Sequence, residues 1–217
     1  MPPPFLDPTR FLLELGYTLI VVVLCFLIYI KTKSIYDITK HKGIYYFRNT
    51  FLFFGLAYVA RFIFHFIRIS NAWLDLYIPR EIMGPVSMLF TAYFSTMALL
   101  CLIYSTVWKK FSNKNFFIAA NILAVLIACA AAYSPPIFLI TQVLLLVVAI
   151  VLSCLLREKS KFPRIFFLYS LLFLFWIISI ILVVPGRALG FEIRIVLEVI
   201  SIALFAFIYH KVAKWTK

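Results

Sequence analysis

Charge is scarce in this sequence, and acidic charge scarcest of all. Of 217 residues, 13% are Asp, Glu, Lys or Arg, 8 acidic against 21 basic, while 65% are hydrophobic. Soluble domains average about 25% charged and about 45–50% apolar residues. So few charges cannot cover this much apolar surface in water, and lipid is the expected solvent. Glycine is sparse too: only Gly16 and Gly55 fall clearly inside apolar runs, Gly84 standing near a run end, and the prolines sit at or near run ends. The Gly- or Pro-broken helices of many transporters are therefore not expected. Cys25, Cys101, Cys129 and Cys154 lie in apolar runs without a CxxC pair, which points to small buried hydrophobes rather than a disulfide framework or zinc site. Every lysine lies in a loop or in the tail, where Lys211 stands at the very end of the seventh run, so a retinal Schiff base is not expected. His41, His65 and His210 fall at different depths, which argues against bis-histidine haem. With no Gly-rich phosphate loop, HExxH, serine nucleophile motif or paired carboxylates, no enzyme is expected, and no cofactor or metal is implied.

What the chain has is apolar runs of spanning length. A spanning helix needs about 20 apolar residues. Seven runs meet that, at 11–30, 49–69, 82–107, 116–133, 136–156, 165–184 and 191–212. The expected fold is all-α: a polytopic membrane protein forming a single seven-helix domain over 1–217. "AYSPPIF" divides the fourth run from the fifth, because Pro135 and Pro136 break helical hydrogen bonding and suit a helix start. The first run is expected to be a retained helix rather than a cleaved signal, since "MPPPFLDPTR" has no basic stretch before it.

The net charge of +13 would suggest nucleic acid in a soluble protein, but the basic residues fall mostly in the gaps between runs or at run ends. Fifteen lie on the side of the loops after the first, third and fifth runs and the C-terminal tail, and five on the other side. The positive-inside rule then places the N-terminus outside and the C-terminus in the cytoplasm. The expected location is the cell membrane, multi-pass, with the lipid bilayer as partner and no nucleic acid. The stretch 31–48, "KTKSIYDITKHKGIYYFR", is expected as a basic, aromatic loop along the inner leaflet, open to a protein partner. "WLDLYIPRE" at 73–81 is expected as an interfacial turn on the outer side. Small-residue stripes at Ala120, Ala124, Ala128 and Ala132, and at Gly84, Ser87, Thr91 and Ser95, suit close helix packing within the chain or in an oligomer.

The candidate site is the set of charges that stay inside the runs. Phe54, Tyr58, Arg61, His65 and Arg68 follow helical spacing in the second run, giving one aromatic and basic stripe. Glu198 in the seventh run falls at a matching depth, with Arg194 one turn before it and Ser201 and Phe205 on the same face. Glu14 lies in the first turn of the first run. Ionisable side chains at such depth are costly, about 2.5–3.5 kcal/mol for a central Arg on insertion scales. Glu14, Tyr58, Arg61, His65, Arg194 and Glu198 therefore form one expected outer-half cluster. Three roles fit it: an ion-pair lock joining helices, a cavity for a small polar or anionic ligand, or a proton or ion path. A path would need an inner relay, for which Asn121, Ser153 and Tyr104 are the candidates.

The segment "YIKTKSIYDITKHKGIYYFRNTFLFFGLAYVARF" looks like a stretch of uncharacterised archaeal seven-helix membrane proteins. The overall layout resembles the seven-helix membrane input domains of microbial sensor proteins, without a kinase or cyclase output domain. These likenesses imply a receptor-like signalling or structural membrane module and no catalytic residues. The competing functions are a small-solute or proton-coupled transporter and a subunit of a larger membrane complex.

Overall fold

The computed structural model describes residues 8–73, 80–108, 115–155, 163–183 and 190–215. These form seven helices: α1 (Pro8–Thr39), α2 (Lys42–Trp73), α3 (Arg80–Val107), α4 (Phe116–Tyr133), α5 (Pro135–Leu155), α6 (Pro163–Val183) and α7 (Phe191–Trp215). Six are long and apolar enough to cross a membrane; within α6 the described apolar stretch, Ser170–Leu182, is shorter. Proline opens α5 and α6, where the missing N–H would have no helical partner in any case. The expected division of α4 from α5 is observed: Ser134 is extended, and its N–H bonds the Ala130 carbonyl at 3.1 Å.

The largest departure from expectation is the stretch 31–48, which is helix and not a loop along the leaflet. α1 continues to Thr39, α2 begins at Lys42, and only Lys40 and His41 join them. Lys40 takes a left-handed backbone (φ 52°) and its N–H bonds the Tyr36 carbonyl at 2.7 Å, closing the helix end. The physical reason lies in periodicity that continues through the polar residues. Ile28 and Thr32 are buried and Ile35 packs against the core one turn further on, so α1 keeps an inward face after its lipid-facing residues end. At 32 residues, α1 and α2 are each about 48 Å long, well beyond the about 30 Å hydrocarbon layer. Trp73, Arg80 and Glu81 of "WLDLYIPRE" belong to α2 and α3, while 74–79 lie outside the described residues.

Each helix packs on its neighbours in sequence, α7 returns to α1, and α3 also touches α5. The chain is thus a ring closed between first and last helices, with α4 set outside the α3–α5 pair. α3 is the most enclosed element: Thr96, Met97, Ala98, Leu99, Leu100, Cys101 and Leu102 are buried in succession, so no side of those two turns faces lipid. The α4 stripe packs inside the chain through Ala120, Ala124, Ala128 and Ala131, with Ala131 in place of the expected Ala132. Ile122, Val125 and Leu126 on its other face are exposed. The α3 stripe fares differently: Gly84 is exposed and Ser87, Thr91 and Ser95 are half-buried, the inward face being Ala92 and Thr96. Gly55 is where α2 approaches α1 closely, since a Cβ there would stand 3.2 Å from that of Cys25. Cys25 and Cys101 are buried as expected, Cys129 is instead exposed, and the Cys154 side chain lies outside the described residues.

Apolar side chains also ring the outside. Leu19, Val23, Ile63, Leu126, Ile140, Val147, Val196 and Val199 are among many exposed ones distributed around the bundle. A girdle of that extent is incompatible with a water-facing monomer and matches a lipid-facing wall.

Candidate functional site

Four helices bring their interior side chains together at the end of the bundle where α1 and α7 begin and α2 and α6 finish. The chain steps by three or four residues along each helix, which stacks the side chains into layers. The first layer is charged. Arg194 donates through Nε to Glu198 Oε1 at 3.2 Å and through Nη2 to Glu14 Oε1, so one guanidinium holds carboxylates from α7 and α1. A planar fork suits two carboxylates at once, which an ammonium does not. His65 Nε2 of α2 stands 3.8 Å from Glu14 Oε2. Glu198 is the most buried of these groups, with 9% of its side chain exposed against 24% for Arg194 and 28% for Glu14.

One turn further in is a layer of hydroxyls. Tyr17 shares hydrogen bonds with Tyr58 at 3.1 Å and Ser201 at 3.0 Å, and Tyr58 reaches Ser179 at 3.5 Å. These bonds join α1, α2, α6 and α7 around buried phenols. Beneath them is an aromatic plug. Phe54 meets Tyr58, Phe175, Trp176 and Phe205 at ring distances of 5.0, 5.1, 4.7 and 5.8 Å, and Phe51 meets Phe205 at 6.1 Å. Phe51, Phe54, Phe175, Trp176 and Phe205 are all buried.

A small cavity opens in the charged layer, lined by Glu14, Tyr17, Arg61, His65, Arg194 and Glu198 together with apolar groups that include Phe62 and Leu182. The space open to the centre of a water-sized sphere is about 20 Å³, against the about 10–15 Å³ one water needs. All six expected site residues therefore gather here except Tyr58, which lies one layer deeper. Arg68, the next residue of the expected stripe, has its side chain outside the described residues. The pairing differs from the expected match of depth between Arg61 and Glu198. Glu198 is held by Arg194 from its own helix, and among the described residues no hydrogen bond or ion pair reaches Arg61.

Sequence reasoning missed Tyr17 and Ser179. Tyr17 falls one helical turn after Glu14, a signal that was available; Ser179 gave none, because the one charge of α6, Arg164, lies in its first turn and marks no face near Ser179. Two of the inner relay candidates engage near neighbours. Asn121 accepts from Tyr93 and bonds its own helix at the Phe117 carbonyl, while Tyr104 stacks on Phe116 at 3.8 Å. Among the described residues no group of three or more His, Cys, Asp or Glu could hold a metal.

A ring of apolar helices with a polar interior at one end defines a helical membrane protein. A protein of Archaeoglobus fulgidus, named only "Uncharacterized protein", is 34% identical over 223 residues, covering 99% of this chain and 97% of its own length. The chain belongs to the same family as that archaeal protein. No family model matches it, and no solved structure does.

Proposed function

We propose that the chain is a non-enzymatic seven-helix module of the cell membrane whose polar cluster sets the arrangement of α1, α2 and α7, in a sensor-like or structural role. The basic residues favour an N-terminus outside and a C-terminus in the cytoplasm, which makes this the outer half of the bilayer. The observation that carries the reading is Arg194 holding Glu14 and Glu198 at once. That contact joins residues 180 positions apart and closes the ring between first and last helices. An ion-pair set that fixes neighbouring helices is the kind of element whose loss, or change of partner, would redistribute conformations. Two further features support a lock over a conduit. The cavity has room for about one water, and the hydroxyl and aromatic layers lie directly below it.

The test is purification into bilayers with two readouts, stability and solute flux. Arg194→Gln and Glu198→Gln are expected to lower the unfolding midpoint, with no proton-linked uptake in the wild type. Uptake that Glu198→Gln abolishes would overturn this reading in favour of a transporter.

A further inference from the structure

We infer that the cavity beside Arg61 binds one small monovalent anion of about chloride's size, together with a proton on His65. The inference deepens the role of the same polar cluster and rests on its helix-setting reading. Arg61 lies inside an apolar helix and, among the described residues, has neither a hydrogen bond nor an ion pair. A guanidinium in such surroundings favours a counter-charge strongly. Both nearby carboxylates already face Arg194, which leaves Arg61 on the cavity wall with the cavity as its open side.

Size and charge then select the occupant. The space of about 20 Å³ is somewhat more than the about 10–15 Å³ one water needs and suits a single monatomic ion. Among the described residues, the ionisable and hydroxyl groups lining it are Glu14, Tyr17 and Thr18 from α1, Arg61 and His65 from α2, and Arg194 and Glu198 from α7, while α6 contributes Leu182; the Thr18 hydroxyl already donates to the Glu14 carbonyl at 2.7 Å. With His65 neutral, two guanidinium groups balance two carboxylates and a water suffices. With His65 protonated, three cations face two carboxylates, and a single monovalent anion restores neutrality. Anion and proton are therefore taken up together, and the occupied state draws α2 toward the Arg194 lock.

The probe is sodium chloride against sodium gluconate at constant ionic strength, so that general screening is equal in both. At about pH 5.5, where histidine is largely protonated, saturating chloride should raise the melting temperature of the wild type by about 3 °C or more. At about pH 8 the rise should fall below about 1 °C. Arg61→Gln should abolish the chloride effect, and His65→Gln should hold it below about 1 °C at both pH values. Should Arg61→Gln fail to fold, crystals of the wild type grown in bromide at low pH decide: an anomalous peak within about 3.5 Å of the Arg61 guanidinium is expected. Equal melting in chloride and gluconate, or a bromide structure with only water there, overturns the inference. Those results leave the Arg194 lock standing if Glu14 and Arg194 remain energetically coupled, so the two failures are distinguishable.

Discussion

The two ends of the bundle each hold an arginine among apolar helices, and they do it by opposite means. At one end Arg194 sits between two carboxylates. At the other, Arg48 lies over the rings of Tyr29, Tyr36 and Tyr45 at 5.1, 5.3 and 5.0 Å, with its buried Nε lacking a hydrogen-bond partner. Carboxylates hold a guanidinium directionally through charge-assisted bonds. Ring faces attract it without fixing an angle. The directional pair is used where helices distant in sequence must be joined, α1 to α7. The tolerant cage is used within the α1–α2 hairpin, where a two-residue turn already holds the partners together.

Conservative substitution at the two ends should separate these mechanisms most sharply. Arg194→Gln leaves a buried carboxylate, Glu198, and a half-buried one, Glu14, without their cation and should cost about 3 kcal/mol, the lower end of values for broken buried pairs because Glu14 retains some solvent. Arg194→Lys should recover little of it, since one ammonium cannot reproduce the fork. Chemical denaturation in detergent measures both, and a loss below about 1 kcal/mol for Arg194→Gln would erase the contrast. At the other end, Arg48→Met should cost about 1–2 kcal/mol, and Arg48→Lys should restore most of that, because a ring face accepts either cation.

Smaller effects sharpen the picture of the hairpin end. A Cβ on Gly43 would meet the Trp108 indole at 2.7 Å, beside a His41–Trp108 edge contact at 4.5 Å. Gly43→Ala should therefore cost about 1–2 kcal/mol by overpacking, and Trp108→Ala in the same chain should reduce that penalty. Unfolding midpoints of the single and double variants check it; an additive pair would show that the indole does not press on the turn. The smallest effect is expected at neither end. Gln142 Nε2 donates to Thr96 Oγ1 at 3.1 Å in the α3–α5 contact, while Gln142 Oε1 is buried without a partner. Replacing both by apolar residues, Gln142→Leu with Thr96→Val, should change stability by under about 1 kcal/mol, because no stranded polar group is left.

The same two ends show what sequence can disclose. Charges in an apolar run are conspicuous, so Glu14, Arg61, His65, Arg194 and Glu198 could be gathered from helical spacing and depth alone. Their pairing was not legible. Depth could match Arg61 to Glu198, but only side-chain direction shows that Arg194 takes both carboxylates. At the hairpin end the polar composition of 31–48 suggested a loop, since the lysines hide an inward-facing periodicity carried by Ile28, Thr32 and Ile35. Tyr29 and Tyr36, two turns apart on α1, were the trace of the Arg48 cage and were legible only as an aromatic belt. Within the nearly continuous apolar stretch 116–156, the division at 134–135 could be found through proline alone, which marks it by a covalent constraint, whereas the ends of α1 and α2 depend on tertiary packing.

The most direct measurement is a double-mutant cycle on Glu14 and Arg194 in lipid bilayers, using Glu14→Gln, Arg194→Gln and the pair. A lock between α1 and α7 requires a coupling of about 1 kcal/mol or more, with the double variant less destabilised than the two single losses combined. Additive losses within about 0.3 kcal/mol would show that the two side chains do not act on each other, and would contradict the reading of this cluster as the element that closes the ring.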